Sequence, residues 1–249
     1  MSPTFVRLDA RLVHEGLAAS RQRARELIEQ GVVRVDGLPA TKLAMQVRPE
    51  QGVTVVSGDY AWVGRGALKL LGVLGPFGVD PSGKVAADLG ASTGGFTEVL
   101  IERGATKVYA IDVGRGQLAW KLRTDPRVVN MEGVNARAMD PLPELVDLLV
   151  GDLSFISLAL ILPSMASLLR LGGEAVVLVK PQFEVGRDSV GKGGLVKSGA
   201  DRDRAIARVS SDAVAAGFEV LGSMDSTVPG AKAGNVEHFL HLRLVSRAP

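Results

Sequence analysis

From Lys84 onward, short apolar runs alternate with stretches of helical spacing. The runs at 84–88, 107–112, 127–131, 146–151 and 174–179 predict strands, and 94–103, 116–122 and 158–170 predict helices. This alternation predicts a doubly wound, mostly parallel sheet, whose ligands sit beyond the carboxyl ends of the strands. A helix at about 201–216 and two strands within 218–223 and 236–245 follow, predicting an antiparallel hairpin at the sheet edge. The start of the chain is patterned differently. Leu8, Leu12 and Val13 have helical spacing, Ser20 and Gly31 frame a second helix as N-cap and C-cap, and "VVRVDGLPA" and "VTVVSG" read as short strands with Asp36-Gly37 at a turn. Residues 1–58 therefore predict a small module, 59–68 a linker running into a helix, and 69–249 the larger domain.

Composition narrows the chemistry. The 249 residues are 46% apolar and 22% charged, which suits a soluble globular protein. The net charge of +2 is compatible with RNA binding but does not argue for it. The absence of cysteine excludes disulfides, thiolate metal sites and cysteine nucleophiles. His238 and His241 lie three apart on a predicted strand and face opposite ways, so no metal pair is expected. The N-terminus lacks the apolar run of a signal peptide, and the most apolar stretches are only strand-length. The expectation is a cytoplasmic protein without a membrane partner.

The segment "KVAADLGASTGGFTEVL" carries the strongest signal. It reads as a strand ending on Asp88, a turn rich in glycine (Gly90, Gly94, Gly95) and the start of a helix at Phe96. Glycine there would let a ligand approach the backbone. The next strand, "KVYAID", ends on Asp112. Two acids at adjacent strand ends suit an adenosine ribose and a positive charge, pointing to S-adenosylmethionine more than to a dinucleotide. A phosphate-binding Walker loop is ruled out because Phe96 stands where lysine is needed. In "GRDSVGKGG", Gly193 replaces the magnesium-binding hydroxyl.

Four charges occupy places where apolar or small residues are expected. Lys69 lies on the helix before the first strand, Asp152 ends "VDLLVGD", Lys180 ends "AVVLVKP", and Glu237 interrupts "VEHFLHL". Charge at the end of a buried strand costs desolvation unless it is paired. Unrelated boundary charges are the plain alternative, but two cations and two anions that converge would satisfy one another.

The N-terminal pattern resembles the S4 RNA-binding module, on Arg7-Leu8-Asp9, Leu12, Gly16, Ser20-Arg21, Ala24, Ile28, Gly31, Val33, Val35 and Gly37. Arg21 and Arg25 lie one turn apart, near a helix N-terminus marked by Ser20, a combination that holds phosphates. Six arginines face five acids in residues 1–37, so charge alone leaves a solvated face equally open. The "DLGASTGGF" form resembles methyltransferase motif I, and the quartet resembles the Lys-Asp-Lys-Glu tetrad of FtsJ-like ribose 2′-O-methyltransferases. Together with "GRGALKL", "DLSFISL", "VKPQFE", "VGKGG" and "GNVEHFLHLR", these features resemble the TlyA family, named hemolysin in places, over nearly the whole chain.

The resemblance implies an S4-like α+β domain followed by a Rossmann-like class I methyltransferase domain, with a seven-stranded, mostly parallel sheet. It implies 2′-O-methylation of cytidine in bacterial ribosomal RNA, of the large subunit and in some members also the small, and a link to capreomycin-type antibiotic susceptibility. Site residues follow. Lys69, Asp152, Lys180 and Glu237 would be catalytic. Asp88, Gly90, Ser92, Gly94, Phe96, Asp112, Asn135, Asp152 and Phe155 would meet the cofactor, with core packing the alternative for Phe155. Arg7, Arg11, Ser20, Arg21, Arg25 and Arg65 would meet RNA. Trp62 either packs the modules together or contacts RNA. A monomer is expected. Two departures stand out: Tyr60 replaces an arginine of the family linker, and Gly64 replaces a serine before Lys69. A lysine base would need about 4 kcal/mol of destabilisation of its charged form to reach a pKa of roughly 7.5. Rival readings are a membrane-active hemolysin, a noncatalytic ribosome-assembly factor, and an S4-linked pseudouridine synthase.

Overall fold

A computed structural model of the chain describes residues 5–18, 20–29, 32–40, 45–55, 62–228, 230 and 235–247. The C-cap Gly31, the strand positions 56–58, Tyr60 and Gly234 lie outside the described residues. The chain forms two compact units, Met1–Arg65 and Gly66–Pro249.

In the first unit the elements are β1 (Val6–Arg7), α1 (Leu8–His14), α2 (Arg21–Glu29), β2 (Val33–Val35), β3 (Leu38–Pro39), β4 (Gln46–Val47) and β5 (Val53–Val55). Helices of seven and nine residues are too short to persist alone in water. They are held by a shared core in which Leu8, Leu12, Ala24, Ile28, Val33 and Val47 are buried. The Ser20 hydroxyl accepts a hydrogen bond from Arg23 N at 3.1 Å and so caps α2. The antiparallel pair β1–β4 adds to the predicted small sheet, β3-β2-β5.

The second unit runs α3 (Gly66–Phe77), β6 (Val85–Leu89), α4 (Gly95–Glu102), β7 (Lys107–Asp112), α5 (Trp120–Arg123), β8 (Val128–Glu132), β9 (Val146–Gly151), α6 (Leu162–Leu168), β10 (Leu169–Val179), α7 (Pro181–Glu184), α8 (Gly199–Ala215), β11 (Phe218–Asp225) and β12 (His238–Leu244). The strands form one seven-stranded sheet in the order β11-β12-β10-β9-β6-β7-β8. β12 is antiparallel to both neighbours, and the rest pair in parallel. β6 lies between β7 and β9, so the chain reverses its direction of travel across the sheet there, which is where a ligand crevice opens. Phe218 and Phe239 are fully buried under the hairpin; truncating either to alanine would cost about 3–5 kcal/mol.

Two predicted helices are corrected. The one expected at 116–122 is a single turn, Trp120–Arg123. Glu132 Oε1 accepts the Gln117 and Leu118 N–H groups at 2.6 and 3.0 Å, and Gly116 sits at φ +69°, so the chain before Trp120 is tied to β8 instead. The helix expected at 158–170 opens as a 3₁₀ turn, Leu158–Leu160, and becomes α-helical at Leu162, with Pro163 in the first α-turn where a missing N–H costs nothing. It stops at Leu168 because Leu169 already pairs with Val146 in the sheet. The helix carrying Lys69 begins at Gly66, inside the stretch expected to be linker.

Candidate active site

A cleft of about 500 Å³ opens beyond the carboxyl ends of β6, β7 and β9. Gly90, Ser92, Asp112, Asn135, Asp152 and Phe155 all line it. Gly90 has φ +85°, and a Cβ there would stand 2.9 Å from Asp152 O, so the turn and the end of β9 touch through backbone. Ser92 is left-handed at φ +49° and its N–H donates to Asp112 Oδ2 at 2.8 Å, while Gly114 N donates to Oδ1 at 2.7 Å. Two backbone donors thus fix the Asp112 carboxylate at the cleft. An oriented carboxylate with open lone pairs fits a ribose diol. Phe155 is 84% exposed at φ +65°, its ring 5.2 Å from that of Phe183. It is a wall of the cleft and not core.

Asp88, Gly94 and Phe96 do not line the cleft. Asp88 is completely buried and accepts the Thr97 hydroxyl at 2.7 Å on Oδ2, while Oδ1 has no partner. Burial pushes its pKa up to about 7, against the opposing bonds from Thr97. Phe96 is buried against Phe239. The expected reason for the glycines is corrected in part: a Cβ on Gly94 would strike Leu122 at 2.2 Å and Leu118 at 2.8 Å, and one on Gly95 would meet Ala67 N at 2.9 Å. Those two glycines admit the protein's own helices rather than a ligand.

The four singled-out charges converge. Lys69 Nζ lies 3.1 Å from Asp152 Oδ2 and 2.7 Å from Glu237 Oε2, and Lys180 Nζ lies 2.6 Å from Asp152 Oδ1. All four side chains are at most 17% exposed. Asp152 Oδ1 and Glu237 Oε2 each meet a lysine as a close, largely buried ion pair. Burial lowers the Lys69 pKa, but Asp152 and Glu237 outweigh it and hold the group above the ordinary lysine value. Burial raises Asp152, and Lys180 with Lys69 outweighs that in turn, leaving it below the ordinary range. Local sequence explains the placement. Lys180 precedes Pro181, which disfavours helix at the residue before it, so the backbone stays extended at Lys180, one residue past β10 (ψ 100°). Asp152 follows β9 directly, held by its N–H on Leu89 O at 3.0 Å.

Two contributors were missed in the sequence. The Ser154 hydroxyl accepts a hydrogen bond from Lys180 Nζ at 2.7 Å. Glu184 is buried and accepts the Ser157 hydroxyl and Leu158 N–H, both at 2.7 Å, tying the cleft loop to α7. Both sit inside quoted motifs, "DLSFISL" and "VKPQFE", but nothing in their spacing marks them.

In the first unit, Arg7, Arg21 and Arg25 all bind one buried carboxylate, Asp9, at 3.0, 3.1 and 3.3 Å. The arginines are about half exposed and Asp9 is not exposed at all. Hydrogen bonds from Arg7, ahead of those from Arg21 and Arg25, hold the Asp9 pKa far below the usual carboxylate range against the opposing effect of burial. Arg11 pairs with Glu15 at 2.5 Å and donates to Pro49 O. Arg65 and Trp62 are partly buried.

A mixed seven-stranded sheet of this order, with a cleft at the reversal and an antiparallel terminal hairpin, is the fold of the S-adenosylmethionine-dependent methyltransferase class. Residues 62–244 match the family model of the FtsJ-like methyltransferases, and residues 6–53 match that of the S4 domain. The 16S/23S rRNA (cytidine-2′-O)-methyltransferase TlyA of Mycobacterium tuberculosis is 52% identical over 240 residues, covering 95% of this chain and 89% of the relative. The 23S rRNA (cytidine-2′-O)-methyltransferase TlyA of Campylobacter jejuni is 33% identical, covering 92% and 96%. A solved structure from Streptococcus thermophilus, described as a "putative hemolysin", superposes with a TM-score of 0.77 at 37% identity, over 99% of this chain and 90% of that one. The chain belongs to the TlyA family, an S4 domain joined to an FtsJ-like methyltransferase. Among the described residues no helix is long and apolar enough to cross a membrane.

Proposed function

We propose that this protein methylates the ribose 2′-hydroxyl of cytidine in bacterial ribosomal RNA, acting on the large subunit and, like its 52% identical relative, also on the small. The observation that carries the reading is the meeting of Lys69, Asp152, Lys180 and Glu237 beside the cleft. S-adenosylmethionine, when bound, supplies a methyl carbon on a sulfonium that leaves as a neutral thioether once the carbon bonds to the acceptor oxygen. Asp112 would hold its ribose hydroxyls, Gly90 and Ser92 its backbone-facing edge, and Phe155 and Asn135 its base.

A ribose hydroxyl is a poor nucleophile and must lose its proton as it attacks. The two lysines stand in different fields. Lys69 faces two carboxylates, which keep it a cation suited to stabilising charge on the acceptor oxygen. Lys180 faces one carboxylate and a neutral hydroxyl, and it takes the proton. Asp152 bridges both lysines and fixes their separation; Glu237 serves Lys69 alone. The S4 unit docks the ribosomal RNA through Arg7, Arg21 and Arg25, with Arg11, Ser20 and Arg65 as further contacts. This work belongs where ribosomes are, in the cytoplasm, and loss of the modification would lower susceptibility to capreomycin-type antibiotics.

The test is methyl transfer from labelled cofactor to ribosomal subunits, with mapping of the modified riboses. Label on the 2′-oxygen of cytidine supports the reading. Label elsewhere, or wild-type turnover by both Lys69→Ala and Lys180→Ala with cofactor still bound, overturns it.

A further inference from the structure

Lys180 is pinned in place but hardly in direction. Its contact with Asp152 Oδ1, at 2.6 Å, is an ion pair. That contact fixes where Nζ sits; a single partner does not by itself set the direction of all the positions on the nitrogen. Among the described residues, the hydrogen bond Lys180 donates from its side chain goes to Ser154 Oγ, at 2.7 Å. Ser154 is exposed and lines the cleft. Its loop is anchored three residues on, where Glu184 accepts from Ser157 and Leu158. Glu184 belongs to α7, which begins directly after Lys180. The hydroxyl and the amine are therefore held to one another through a second, buried connection.

We propose that Ser154 is a positioning residue that sets the direction of the Lys180 lone pair. The inference rests on Lys180 being the base. One N–H of the neutral amine stays on Ser154 Oγ, and rotation about the Cε–Nζ bond is thereby stopped. The lone pair then keeps one orientation relative to the acceptor hydroxyl, whose proton it receives. Without the serine hydroxyl the amine turns among three positions, and only a fraction of them accept the proton.

The experiment measures single-turnover methylation of ribosomal subunits against pH, with cofactor affinity alongside, for wild type, Ser154→Ala, Ser154→Thr, Ser154→Val and Lys180→Ala. Ser154→Ala is expected to slow transfer about tenfold, the size of one hydrogen bond, with cofactor affinity unchanged. The acid limb of the profile should move to lower pH, because the lost acceptor had favoured the ammonium form over the amine. Asp152 faces Lys180 directly, and Lys69 and Glu237 stand beyond it; all are unchanged in the variants. Threonine should restore rate and limb, and valine, of equal volume, should not. That pair decides the question even if alanine disturbs the loop. A wild-type rate in the valine variant overturns the inference, and so does a slowed rate with an unmoved limb, which marks a merely structural role. If Lys180→Ala still turns over, the base assignment itself falls. If it is inactive while the serine variants behave as wild type, only the role of Ser154 falls.

Discussion

Each unit gathers opposite charges around one aspartate, but they bury different parts of the cluster. Around Asp9 the anion is sealed and three arginines stay half in water. Around Asp152 both signs are enclosed, with every partner at most 17% exposed. The first arrangement orders cations without consuming them: one carboxylate against three guanidiniums leaves an excess positive charge that a polyanion can meet, and salt can screen. The second leaves little for a distant partner to feel. Its charges act on whatever enters the cleft, and enclosure makes each proton count.

The sharpest break between the two should come from turnover. Lys180→Ala is expected to lower methyl transfer about 10²–10⁴-fold, the usual worth of a positioned general base, with cofactor binding kept. Arg21→Ala should leave single-turnover chemistry on saturating subunits unchanged. If Arg21→Ala slowed chemistry as much, the division of labour would be wrong. Stability comes next. Glu237→Ala strips Lys69 of one buried partner and should cost about 3–5 kcal/mol, read as a lowered melting temperature.

A third test is pH. Native Asp88 holds its proton up to about pH 7, whereas the unfolded carboxyl loses it near 3.8. The native state therefore binds more protons across that window, and stability from this residue is full below pH 4 and falls as pH rises to 7. The full change is about 4 kcal/mol. Asp88→Asn should flatten chemical denaturation midpoints measured across pH 4–7; an unchanged slope would show that another group sets it. Asp9 should act in the opposite sense, with its contribution present above the unfolded pKa and lost in acid. The smallest effect is expected from Arg25→Ala, a uniform weakening of RNA binding with the salt slope reduced by roughly 0.7–0.9.

The second cluster was far more legible than the first. Lys180 follows the apolar run 175–179 and Asp152 the run 148–151, and a charge there stands out because burying it needs a partner. Asp9 lies in an ordinary amphipathic helix, and nothing in the order of residues says that Arg7, Arg21 and Arg25 all reach it. The same limit hid Ser154, whose importance comes from a contact 26 positions away. Gly94 and Gly95 show a different failure. Their presence was visible, but what fills the space beside them comes from Leu122 and Ala67, on helices the turn does not contain. The short α5 was misread because Gly116 is left-handed and Ala119 is extended (ψ 141°), while Glu132, on the following strand, holds Gln117 and Leu118 to β8.

The place of β12 has a consequence for the order in which the enzyme becomes complete. β12 follows β11 along the chain yet lies between β11 and β10. Glu237 enters immediately before it. Domains fold as units, and this sheet has no continuous run of strands from β10 to β11 until its last strand has been made. Until then β11 has no neighbour on that side, and Lys69 lacks one of its two carboxylates. A partly synthesised chain can thus hold the cleft end of the sheet and still lack a finished reaction centre, and a truncation before Glu237 would remove an inner plank of the fold rather than trim its edge.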